Sequence, residues 1–133
     1  MSTKISIILP LRLTTIGNTR RHWRHDAAVA KEQRTVTRMA LAARLPRGHS
    51  APYVVHLTRI GPRYLDPGNL QGCFKHVQDG IADACGIDDG SRFVVWHYAQ
   101  SEQRGYSHRY GVCIDLECAD ASDVLETKET SHG

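Results

Sequence analysis

Residues 65–89 read LDPGNLQGCFKHVQDGIADACGIDD, and the rest of the chain is organised around them. Leu70, Cys73, Phe74, Val77, Ile81 and Ala84 recur at helical spacing on one face, while Lys75, Asp79 and Asp83 project from the other. Asp66-Pro67-Gly68 reads as a turn leading into a helix over about Asn69 to Cys85, with Gly86 at its C-cap. A stripe of this width needs a sheet to bury it. The same stretch carries Asp66 before the helix, the pair Asp88 and Asp89 after it, and Lys75 between them.

The flanking segments supply the sheet. Residues 4 to 13 alternate, with Ile5, Ile7, Leu9, Leu11 and Leu13 on one side, and Pro10 marks an edge or the end of pairing. Tyr53 to Ile60 has the β-branched and aromatic content of a strand, and Gly61-Pro62 breaks it. Residues 92–98 (RFVVWHY) and 108–118 (HRYGVCIDLEC) also alternate, and the polar connection between them suggests a β-hairpin whose second strand turns Tyr110, Val112, Ile114, Leu116 and Cys118 inward. Between the first two strands, a basic loop through residue 25 leads to a helix capped by Asp26 and running to about Leu45, with Val29, Val36, Ala40 and Ala43 on its packing face. These readings give a single α/β domain over residues 1–118, of order β-α-β-α-β-β, with two helices packed on a mixed sheet. Residues 119–133 lack periodicity and read as a disordered tail.

Bulk composition narrows the class. Hydrophobic residues make up 41% and charged residues 23%, and no apolar run approaches the ~18 residues of a membrane span, so a soluble cytoplasmic protein is expected. The four cysteines form no CxxC pair and read as apolar filler rather than a disulfide framework. His22 and His25 raise the question of zinc, but no cysteine pair accompanies them. The net charge of +3 hides an asymmetry: residues 1–50 hold ten Lys and Arg against two acids, and residues 51–133 hold seven against twelve. Such a split suits a protein that grips a polyanion with one surface and holds a metal with another.

Arg20, Arg21, Arg24, Lys31, Arg34 and Arg38 are the candidate phosphate contacts, with a solvated basic helix as the plainer reading. For the acids, magnesium takes oxygen ligands and keeps several waters, so two or three carboxylates brought together from different loops suffice. Asp66, Asp88 and Asp89 are the candidate ligands, and Lys75 is placed to polarise a scissile phosphate. The plainer reading of each is a turn or an ordinary surface pair.

The run Leu65-Asp66-Pro67-Gly68-Asn69-Leu70, then Lys75 and Asp79 on a helix, then Gly86-Ile87-Asp88-Asp89 resembles the signature of the RusA family of Holliday junction resolvases, common in prophages. The likeness takes in Asn18 in the basic segment after the first strand and covers most of residues 5 to 118. It implies a magnesium-dependent homodimeric endonuclease that cuts four-way DNA junctions in recombination and repair. By position, Asp66 and Asp89 match metal-binding aspartates, with Asp88 beside the latter, and Lys75 matches the catalytic lysine. Gly68 stands where the family has its second aspartate, and Lys75 lies farther along the helix than is usual. Three accounts of Gly68 follow: an inactive form, a member that recruits Asp88, Asp83 or water instead, or a branched-DNA-binding relative that does not cut.

Overall fold

The computed structural model describes residues 2–13, 23–88, 90–102 and 110–120. Its elements follow the order β1 (Ser2–Leu9), α1 (Trp23–Ala42), β2 (Ser50–Ile60), α2 (Pro67–Cys73), α3 (Lys75–Cys85), β3 (Val94–Ser101) and β4 (Gly111–Ala119). The described residues form a mixed α/β structure with four strands in one sheet, ordered β1-β4-β2-β3. β4 pairs antiparallel with β1 (Ile5 opposite Leu116) and with β2 (Leu57 opposite Ile114), while β3 runs parallel to β2 (Leu57 beside Tyr98).

The alternation in the sequence carries through to burial. Ile5, Ile7 and Leu9 from β1, Leu11 and Leu13 beyond it, and Val112, Ile114, Leu116 and Cys118 from β4 are all buried, together with Tyr53, Val55 and Leu57 from β2. Against them pack Leu70 and Cys73 from α2, Phe74 at the joint, and Val77 and Ile81 from α3. Phe74 stacks against Tyr98 at 5.8 Å between ring centroids, and Gln78 Nε2 donates to the Tyr98 hydroxyl at 2.9 Å, which anchors the helices over β3. Cys73, Cys85 and Cys118 are free and buried, as apolar filler should be.

Four sequence expectations need correction. Residues 92–118 do not form a hairpin: β4 crosses to the far side of β2 and fills the gap between β2 and β1, leaving β3 at the edge. The helix over 69–85 is two helices joined at Phe74, whose amide donates back to Gln71 O while its own carbonyl accepts from Gln78. Helix α1 begins at Trp23, so Asp26 sits inside it rather than at its cap.

The packing face of α1 is also different. Gln33, Thr37 and Leu41, at i, i+4 and i+8, are buried, Val36 and Ala40 are half-buried, and Ala43 is exposed. The reason is the crossing with α3 at Gly80, where a Cβ would lie 2.5 Å from Arg34 O and 2.9 Å from Thr37 Cβ. Small and slender groups are selected where two backbones approach that closely. Gly86, with φ of 76°, closes α3 in the left-handed conformation as the sequence indicates.

The helices cover one face of the sheet. The other carries cross-strand rows of mixed polarity, among them Ser6–Asp115–His56–His97, in which Ser6 Oγ donates to Asp115 at 2.6 Å and the two imidazoles stack at 4.4 Å.

Candidate functional site

Asp66 lies where the chain leaving β2 enters α2. Its extended backbone (φ −66°, ψ 162°) and short carboxylate make it the N-cap: Oδ1 accepts from the Asn69 amide at 2.9 Å and Oδ2 from Asn69 Nδ2 at 2.8 Å. Pro67 follows at a position where a missing N–H is harmless. The carboxylate is exposed and faces solvent at the end of the sheet.

Two side chains on the sheet hold the approach to Asp66. Gln100 grips Leu65 from both sides, its Oε1 accepting from Leu65 N at 2.8 Å and its Nε2 donating to Leu65 O at 2.7 Å. Arg59, its neighbour across the β2–β3 pairing, is only 4% exposed and donates through Nε to Leu13 O at 2.9 Å and through Nη1 to Arg63 O at 2.7 Å. A buried guanidinium is stabilised here by main-chain carbonyl dipoles. It lies close enough to α2 to favour the Cys73 thiolate, although burial prevails and pushes that thiol up to about 11. In the sequence, Arg59 is masked by the β-branched and aromatic composition of residues 53–60. The strand's own alternation, Tyr53, Val55, Leu57, Arg59, was the signal that the arginine points inward.

The other candidate metal ligands are elsewhere. Because β2 and β3 are parallel, the segment leaving β2 and the segment entering β3 lie at opposite ends of the sheet. Leu65 is held at Gln100, whereas Asp88 sits in the turn before β3, its carbonyl accepting from Ser91 N at 3.0 Å. Six residue steps from Val94 to Gln100 separate those levels, roughly 20 Å at 3.3 Å per step. The neighbourhood of β2 and β3 therefore parts Asp66 from Asp88, contrary to the sequence expectation. Asp89 lies outside the described residues.

Lys75, exposed at the start of α3, is nine residues beyond Asp66. The two residues stand on different helices, Asp66 at the N-cap of α2 and Lys75 at the start of α3, on either side of the joint at Phe74. Among the described residues, no three His, Cys, Asp or Glu side chains are grouped to hold a metal ion.

The basic candidates divide in the same way. Lys31 and Arg38 are exposed on α1. Arg34 instead forms a two-pronged ion pair with Asp83 of α3, Nε to Oδ2 at 2.6 Å and Nη2 to Oδ1 at 2.9 Å. The guanidinium donating these bonds holds the Asp83 carboxyl below its ordinary value. Arg34 is thus engaged in joining the helices, and both charges belong to that crossing. Arg24 falls in the first turn of α1, and Arg20 and Arg21 lie outside the described residues, as do His22 and Asn18.

Neither protein-family models nor curated proteins yield a match to this chain. Among the described residues, no helix is long and apolar enough to cross a membrane.

Proposed function

We propose that this chain is a four-way-junction-binding protein of the Holliday junction resolvase type whose magnesium-dependent cleavage is weak because Gly68 replaces one carboxylate. The observation that carries the reading is the space at Gly68. A Cβ built there meets only Asp66 Oδ1, at an ordinary contact distance of 3.6 Å, and the glycine has no positive φ that a side chain would strain. An aspartate would place a second carboxylate beside the first on an undisturbed helix start. The scaffold thus accepts the missing acid without supplying it.

Among the described residues, one chain does not by itself fit a magnesium ion at Asp66, since a lone carboxylate that already accepts two bonds from Asn69 is too sparse a donor set. A site that also includes Asp88 has to be assembled between two copies, which is how a homodimer enters this reading.

Cleavage of a synthetic four-way junction in magnesium, by the native chain, Gly68→Asp and Gly68→Asp/Asp66→Asn, tests the reading, with sedimentation reporting the dimer. The expected result is weak native cleavage, at least about tenfold faster in Gly68→Asp, and none in the double variant. Binding should persist in the double variant because asparagine caps a helix as well as aspartate. A native rate unmoved by Gly68→Asp would remove Gly68 as the cause of weak cleavage.

A further inference from the structure

β1, β2 and β3 run in one direction and β4 in the other, so the segments leaving the first three strands and the segment entering the fourth share one end of the sheet. Direct contacts tie that end together. Arg59 Nε donates to Leu13 O, Gly61 N donates to Ser101 O at 3.1 Å, and Gln100 grips Leu65. The guanidinium of Arg12 lies 4.5 Å from the centre of the Tyr110 ring, joining the exit of β1 to the entry of β4.

This end bears side chains that a nucleic acid can use. A guanidinium stacked on an aromatic ring keeps its in-plane N–H fork turned outward, which suits a phosphate. Arg63 is exposed next to Tyr64, a large ring left 59% exposed. Both belong to a main chain fixed on either side, since Arg59 binds the carbonyl of Arg63 and Gln100 binds both polar groups of Leu65. A loop held in this way presents its side chains with little ordering left to do on binding. Asp66 is the next residue but one after Tyr64. The α1 stripe is the weaker candidate, because Arg34 is paired with Asp83.

We infer that the strand-end surface formed by Arg12, Tyr110, Arg63 and Tyr64, rather than the stripe on α1, makes the principal contact with branched DNA. Arg12 and Arg63 engage phosphates, and the Tyr64 ring stacks on the face of a base pair left unstacked at the branch point. The inference rests on the junction-binding reading and names the surface that performs it. It also brings the phosphodiester backbone to the side of the molecule that carries Asp66.

Fluorescence anisotropy with a labelled synthetic four-way junction and a matched linear duplex, over a range of salt concentrations, tests this surface. Each phosphate contact contributes about 0.9 to the slope of log affinity against log salt. Arg12→Gln/Arg63→Gln should weaken junction binding at least tenfold and reduce the slope by nearly two, whereas Lys31→Gln/Arg38→Gln should change both much less. Tyr64→Ala should weaken the junction about tenfold and the duplex far less, since only the junction offers an unstacked base pair at a branch point. Arg12→Gln also removes the contact with Tyr110, so Arg63→Gln alone, with thermal melting as the check on folding, is the independent variant; it should lose about one unit of slope at unchanged melting. A larger loss in the α1 pair than in the Arg12/Arg63 pair overturns the surface while leaving junction binding in place. Absence of any junction binding by the native chain overturns the functional reading itself.

Discussion

Gly80→Ala isolates the contact between α1 and α3. In the interior of a helix this substitution ordinarily stabilises by about 1 kcal/mol, because alanine loses less conformational freedom. Here the added Cβ would sit 2.5 Å from Arg34 O, 2.9 Å from Thr37 Cβ and 3.2 Å from Arg38 N, and two of those three atoms are main chain. No rotamer change relieves the overlap, so the helices must separate by close to 1 Å. Overpacking of this kind costs about 3 kcal/mol at the upper part of its usual range, which leaves a net loss of about 2 kcal/mol after the helix-propensity gain. With an m-value of about 1.5 kcal/mol/M, the urea midpoint should fall by about 1.3 M, read by far-ultraviolet circular dichroism. Gly72→Ala is the matched control: Gly72 is exposed in α2, and nothing lies within 4 Å of its added Cβ. That variant should be neutral or up to about 1 kcal/mol more stable. If Gly80→Ala matched the stability of Gly72→Ala, the close crossing would not exist.

Arg34→Met should lower stability at neutral pH by at most about 1 kcal/mol, because both partners are substantially exposed, and added salt should shrink the difference. The Asp83 carboxyl is lowered in the folded state, so its contribution is present above the ordinary value of 3.8 and is lost as pH falls through the lowered one; native and variant curves should therefore converge in acid. At the alkaline end, burial raises the Cys85 thiol to about 12 and the Cys73 thiol to about 11, each from 9.0. The stability these protonated thiols contribute is complete below pH 9 and falls as the unfolded chain ionises above it, so Cys85→Ala should flatten the alkaline limb of a pH series of urea melts. Thiol titration at pH 8 should find both groups unreactive until the protein unfolds.

The parts of this molecule legible in its sequence are those fixed by local periodicity. Alternation from Ile5 to Leu13 and from Val112 to Cys118, the stripe from Leu70 to Ile81 and the left-handed Gly86 each reappear in the structure. Pairing partners are less local. A strand with one apolar face fits beside any neighbour, and nearness in sequence favoured a hairpin for β3 and β4. The connection from Glu102 to Tyr110 spans nine residues, longer than the two to five usual in a hairpin, and was the available sign of a crossing. The candidate site depends on the same non-local pairing. Carboxylates at the two ends of a helix look close in a list of residues, but a parallel β-α-β unit holds them a sheet's length apart. The buried face of α1 was hidden because Gln33 and Thr37 are polar; only the opposing Gly80 makes them interior.

The insertion of β4 between β1 and β2 also bears on how the chain reaches its native state. Ser2 pairs with Ala119, so the first strand has no neighbour in the sheet until the last one has been made. β2 and β3 can join early through their helical crossover, but β1 must wait, an apolar ribbon without a partner, until β4 is in place. Closing a loop of that length before any reward is entropically slow. β1 is consequently expected to join the sheet last, after β4 has paired with β2.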